Sequence, residues 1–331
     1  MATMRAVRVH QYGGPEVLQV EEAPRPSPKP DEILVRVHAA GVLPMDTYIR
    51  GGGFSGSYPR SFPYIPGTAF AGVIEEVGEE VEAAGEWHVG DAICGRSPNG
   101  TYAEYTVITT TPPALKTRPE GGQVSAVVVP LAPMPKSWNF DQAATLSGGA
   151  TTAWTALFED GNVQPGQHVL IHAAAGGVGL FAVQFAKWKG AIVTATCSTA
   201  NVDFVRSLGA DEVIDYTKTP LEEIGQKLDF VLDAVGGETQ VRSMRLLKPG
   251  GTLISIYEPP SADLAAELGV RAMMNAALPN SQHLRAIVDL IDQGHIKTAI
   301  RQCFTLEEAP AAHALVETGH GRGRVILHIR D

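Results

Sequence analysis

The chain has 331 residues, 44% hydrophobic and 19% charged, a balance that suits a folded globular protein and excludes intrinsic disorder. A formal net charge of −10 gives nucleic acid and anionic membrane no general electrostatic reason to bind. No apolar run approaches the ~20 residues of a membrane span, and no signal-peptide core opens the chain, so a cytoplasmic protein is expected.

Residues 4–10 and 16–22 alternate apolar and polar side chains as two strands around Gly13-Gly14-Pro15. Proline at every second position from Pro24 to Pro30 forces an extended loop. Residues 32–39, 71–77 and 102–110 read as further strands, separated by an irregular stretch over 41–67 rich in Gly, Tyr, Pro and Phe. Short strands and turns predict a β-rich first domain. Residues 111–129 read as a surface excursion. Cys94, Cys197 and Cys303 lie far apart without chelating spacing, as reduced thiols do.

After Asp141 the pattern changes. Residues 143–158 are Ala-rich and predict a helix. Strands at 168–172, 192–196, 212–215, 230–233 and 252–257 then alternate with helices at 180–187, 202–208, 221–227 and 238–247. That alternation predicts a parallel, doubly wound sheet. Helices at 281–293 and 306–316 and a last strand at 324–329 are expected to rejoin the first domain.

The first of those strands ends in Ala174-Ala175-Gly176-Gly177-Val178-Gly179. This is the G-x-G-x-x-G dinucleotide fingerprint with alanine at the first glycine. Gly176 would let the backbone approach a pyrophosphate, and Gly179 would let the following helix pack close to its strand. The helix N-terminus would offer unpaired N–H groups to the phosphates. No Lys-Ser or Lys-Thr follows, which argues against a nucleotide hydrolase loop.

With those motifs placed, the whole chain resembles the zinc-free quinone oxidoreductase (zeta-crystallin-like) group of the medium-chain dehydrogenase/reductase superfamily. The resemblance rests on residues 12–18, 41–50, 65–72, 173–179, 208–216 and 247–253, in the family's order. It implies a GroES-like β-rich catalytic domain of residues 1–138 and 295–331. Residues 139–294 would form a Rossmann dinucleotide-binding domain, and two chains would pair as a homodimer. It also places Leu43, Thr68 and Ala69 where zinc relatives have their first cysteine and a His-Glu pair, with the later ligand position inside Ser147-Gly148-Gly149. Leucine and alanine cannot ligate zinc, so no metal is expected. The family's usual asparagine is replaced by Leu43.

The same resemblance puts Tyr48 beside the nicotinamide as the contact for a substrate oxygen, with Leu43, Asp46 and Tyr64 around the substrate. NADPH would run across Ala175, Gly176, Gly177 and Val178, and Val235, Gly236, Ile256 and Tyr257 would meet its nicotinamide half. No acid follows the second strand until Asp203, which removes repulsion toward a 2′-phosphate. Ser198, Thr199 and Tyr216 are its expected contacts, and no arginine occupies the obvious place. Without a metal to lower a hydroxyl pKa, reduction of quinones or α,β-unsaturated carbonyls is favoured over alcohol oxidation. The alternatives are an enoyl-thioester reductase and a non-catalytic NADPH-binding protein.

Overall fold

Glu32–Val42 is the axis of the first sheet. Every residue in it except Arg36 is buried, because strands flank it on both sides. It pairs antiparallel with Ala69–Val77, Tyr105–Thr109 and Arg324–His328. The sheet runs Ile300–Phe304, Arg324–His328, Glu32–Val42, Ala69–Val77, Ala92–Arg96, Leu131–Pro133. The two ends of the chain therefore share one sheet. Thr3–Arg8 and Gln19–Pro24 form a separate antiparallel pair. This computed structural model describes residues 2–53, 55–56, 59–110, 129–225 and 227–331; all but the last residue of the excursion expected at 111–129 lies outside them.

The second sheet is wholly parallel, in the order Glu212–Asp215, Ile192–Cys197, His168–Ile171, Leu228–Asp233, Leu247–Ser255, Arg271–Met274. Counted along the chain this is 3-2-1-4-5-6, the Rossmann order. Its switch point lies between the first and fourth strands, where such sheets bind ligands. The helix Gly179–Trp188 buries every residue from Gly179 to Ala186. It sits inside a core shared by the sheet, the 143–157 segment and Ile326 of the returning strand. Among the described residues no helix is long and apolar enough to cross a membrane.

Two expectations fail locally. The helix predicted over 143–158 is broken: Ser147 is extended and Gly148 left-handed, at φ +71°. Wider π-type turns occupy Leu146–Ala150 and Thr155–Asp160, a deviation common at functional sites. The helix predicted over 221–227 is one 3-10 turn, Leu221–Glu223, because Ile224 turns extended, at ψ 101°.

Candidate active site

The glycine turn leaves the strand His168–Ile171 through Ala173, which adopts φ +49°. A Cβ on Gly179 would collide with the carbonyl of Ala173, so helix and strand close up only over glycine. At Gly176 an added Cβ would press on one atom alone, Ala173 O at 3.2 Å, a looser fit than the 2.3 Å at Gly179. Gly177 is confined differently, by the side chain of Arg324.

Arg324 comes from the far end of the chain. Gly323 N–H donates to Ala175 O at 2.8 Å, docking the returning strand on the glycine turn. The Arg324 guanidinium is buried; its Nη2 donates to Gly148 O and its Nε has no partner. Burial lowers its pKa to about 10, so it stays charged at neutral pH. A buried cation with an unused donor beside a helix N-terminus is suited to a cofactor diphosphate.

The same segment reaches the second strand exit. Arg322 donates to Asn201 Oδ1 at 3.3 Å and Ala200 O at 3.2 Å, and its guanidinium lies over the Phe204 ring. Ser198 Oγ accepts from Asn201 Nδ2 at 3.1 Å. Thr199 is already engaged, donating to Asp215 Oδ2 at 2.6 Å. That bond, with those from Thr217 and Lys218, holds Asp215 far below the usual carboxylate range. Tyr216 is 57% exposed beside them.

Val235, Gly236, Ile256 and Tyr257 do fall at neighbouring strand ends. Asp233, fully buried, joins the two ends by accepting from Val235 N, Gly236 N, Gln240 Nε2 and Ser255 Oγ. Val235 and Tyr257 are left exposed above it.

Across the groove, a pocket of about 300 Å³, its open mouth included, is lined by Asp46, Arg60, Tyr64, Thr68 and Pro98. Tyr64 Oη and Thr68 Oγ1 are buried without any hydrogen-bond partner, and burial raises the Tyr64 phenol to about 12. Both are donors held ready for an acceptor. Asp46 and Tyr64 are thus brought together. Leu43 is buried and packs toward Gly148, whose added Cβ would lie 2.8 Å from Leu43 Cδ1. Tyr48 is 54% exposed on the helix Pro44–Arg50, its ring covering Gly53.

Asp46 ends a one-way chain of hydrogen bonds. Arg50 Nη1 is 3.1 Å from His313 Nδ1; guanidinium can only donate, so Nδ1 accepts and the ring proton sits on Nε2. Nε2–H then donates to Tyr102 Oη at 3.2 Å, and Tyr102 donates to Asp46 Oδ2 at 3.1 Å. Leu43 N–H adds a bond to the same oxygen at 2.9 Å. Burial nevertheless raises Asp46 to about 6. Burial, aided by Arg50, lowers His313 to about 3 and keeps it neutral.

Against known proteins, residues 29–132 match the alcohol dehydrogenase GroES-like domain and residues 208–327 the zinc-binding dehydrogenase family. The chain is 32% identical to the quinone oxidoreductase of Mus musculus, the match covering 98% of this chain and 97% of that protein. The chain belongs to the quinone oxidoreductases of the medium-chain dehydrogenase/reductase family. The structure of the quinone oxidoreductase from Coxiella burnetii superposes with a TM-score of 0.84 at 31% identity, over 99% of this chain and 100% of that one. The native structure of mycobacterial Rv1454c complexed with NADPH gives 0.81 at 30% identity, over 98% and 99%. The chain is an oxidoreductase built as a GroES-like domain joined to a Rossmann-like one.

The zinc that one matched family name implies does not fit these donors. By the resemblance, Leu43, Thr68, Ala69 and the stretch Ser147-Gly148-Gly149 stand at the ligand positions, and among the described residues no three His, Cys, Asp or Glu side chains converge. A nicotinamide cofactor fits: the glycine turn at the switch point of the parallel sheet has the unused Arg324 donor beside it. Sequence reasoning missed Arg322 and Arg324 in this quinone oxidoreductase relative. Their alternation with glycine in Gly321-Arg322-Gly323-Arg324, just before the last strand, was the available signal.

Proposed function

We propose that the chain reduces quinones or α,β-unsaturated carbonyl compounds with NADPH, without a metal. The observation that carries this reading is the pair of buried, unpartnered hydroxyls, Tyr64 Oη and Thr68 Oγ1, on one pocket. Bound NADPH would supply the hydride. The chain's task is then to orient a flat substrate and to stabilise charge developing on its carbonyl oxygen. Two donors without acceptors suit that oxygen, where a zinc relative would use its metal. Tyr48, exposed on its helix, in this reading packs against the cofactor. Ile49, Ile65 and Pro66 give the pocket an apolar wall.

Preference for NADPH over NADH rests on Arg322 and Ser198 at the second strand exit. Lys218, 3.2 Å from Asp215, offsets that carboxylate. In this reading residues 1–138 and 295–331 act as the catalytic domain and 139–294 as the nucleotide domain. A second copy would pair along the open sheet edge at Arg271–Met274. The separated, unpaired cysteines suit a cytoplasmic location.

The test replaces the two donors. A positioned donor contributes about 3 kcal/mol to a transition state, so Tyr64→Phe with Thr68→Val should cut turnover of an enone by about a hundredfold or more. NADPH affinity should stay unchanged. If Tyr48→Phe abolishes turnover while the double variant keeps it, the oxygen contact is Tyr48 instead.

A further inference from the structure

The substrate pocket is more positive than the reduction of a neutral enone requires. Arg60 lines the pocket and is exposed at its mouth. Arg96 closes the strand Ala92–Arg96, beside Ala69, and is only partly accessible. Neither guanidinium has a carboxylate partner or donates a hydrogen bond among the described residues; Arg60 only faces the ring of Tyr64, at 5.7 Å. Asp46 is the one acid that attracts Arg96, and it also attracts Arg324. Asp46 forms no ion pair with either and has committed one oxygen to Leu43 N–H and Tyr102 Oη. Arg60 on the pocket wall and Arg96, which pairs with Ala69 beside the pocket residue Thr68 and precedes Pro98 by two positions, are thus two unpartnered cations in a chain whose overall charge is −10.

Arg324 touches the glycine turn and is accounted for by the cofactor. Arg60 and Arg96 are not. A largely buried guanidinium without a counter-ion is costly, and its donor fork matches a carboxylate in two parallel bonds. The unpartnered hydroxyls nearby are donors as well, so the pocket has donors in excess and asks for an acceptor-rich, anionic ligand.

We propose that the substrate carries a carboxylate in addition to its conjugated carbonyl, with Arg96 receiving that carboxylate and Arg60 drawing it in at the mouth. The proposal rests on the reduction reading given above. The apolar wall of Ile49, Ile65 and Pro66 takes the body of the molecule, so the class is an unsaturated keto acid with a hydrophobic end. Burial weakens the hold of Arg96 on its proton without removing its charge at neutral pH, as an anion partner requires.

The test compares β-benzoylacrylate, a flat enone acid, with its neutral methyl ester, in the full chain with NADPH. The acid should have a KM about tenfold or more below the ester, the size of one charge-assisted hydrogen bond. Arg96→Gln should erase that advantage while leaving the KM of the ester and the affinity for NADPH unchanged. Arg96→Lys should restore part of it. The saturated acid β-benzoylpropionate has no conjugated double bond, and with NADP⁺, which carries no hydride, it gives a readout free of turnover. Calorimetry on the NADP⁺-loaded protein should show binding that Arg96→Gln weakens about tenfold or more. If that binding is found and neither enone is turned over, the reduction reading fails and the anion site stands. Equal KM for acid and ester, or an acid advantage that survives Arg96→Gln, overturns the proposal. So does a loss of NADPH affinity in Arg96→Gln as large as the loss for the acid, since Arg96 would then belong to the cofactor.

Discussion

The guanidinium of Arg322 lies 4.5 Å from the ring centre of Phe204, a contact that joins the last turn of the chain to the helix after the second Rossmann strand. Stacking on an aromatic face fixes the plane of an arginine. Two of its five N–H groups go to Ala200 O and Asn201 Oδ1, leaving three for an anion.

Arg322 should therefore discriminate between cofactors. Arg322→Leu should weaken NADPH binding about tenfold or more, the worth of a charge-assisted bond, and leave NADH within about twofold. Ser198→Asp should reverse the preference by setting a charge against the 2′-phosphate. Fluorescence titration of both cofactors checks it. Equal weakening of NADH and NADPH would make Arg322 a structural residue.

Gly176 and Gly177 should separate two kinds of confinement. Alanine at Gly176 presses on Ala173 O at 3.2 Å, so the melting temperature should fall a little, less than at Gly177, where the nearest atom lies at 2.4 Å. Cofactor affinity should fall, because the added methyl occupies the space a pyrophosphate needs. Alanine at Gly177 runs into Arg324 and should lower the melting temperature as well. Thermal unfolding beside cofactor titration distinguishes the two; a destabilised Gly176→Ala with normal affinity would reverse the assignment.

Much of this arrangement was legible locally. The strand, turn and helix over 168–188 announce themselves by a switch from an apolar run to glycines to helical spacing, all within one segment. Asp46 and Tyr64, placed by resemblance, line one pocket, and Leu43 N–H bonds to Asp46 beside it. Arg322 was not legible, because its position depends on Arg324–His328 pairing with Glu32–Val42, a contact between opposite ends of the chain. The break at Ser147 had a local signal in Ser147-Gly148-Gly149, but Ala-rich flanks outweighed it in the helix expectation. Short strands such as Leu131–Pro133 carry too few residues to show a period. The unpartnered hydroxyls of Tyr64 and Thr68 are facts of burial, which no motif encodes.

Asp46 gives a pH-dependent signature. Burial raises its carboxyl from 3.8 to about 6. A carboxyl that holds its proton more tightly when folded contributes stability that is fully present below about pH 4 and is lost as pH rises through its folded pKa. The difference amounts to about 3 kcal/mol. Asparagine cannot ionise and can still accept from Leu43 N–H and Tyr102. Asp46→Asn should thus gain about 3 kcal/mol on the parent between pH 4 and pH 7, measured by urea unfolding at both. An unchanged difference between the two pH values would show that Asp46 is not strained by its charge.

The central claim is hydride transfer to a conjugated acceptor, and the most direct measurement is NADPH oxidation across a matched set of enones, quinones and saturated ketones, with the corresponding alcohols and NADP⁺ run in reverse. The account predicts turnover of the conjugated acceptors, little with saturated ketones or alcohols, and a steep loss in the Tyr64→Phe, Thr68→Val protein. Alcohols proving the best substrates, or conjugated acceptors reduced equally well by the protein lacking both hydroxyls, would contradict it.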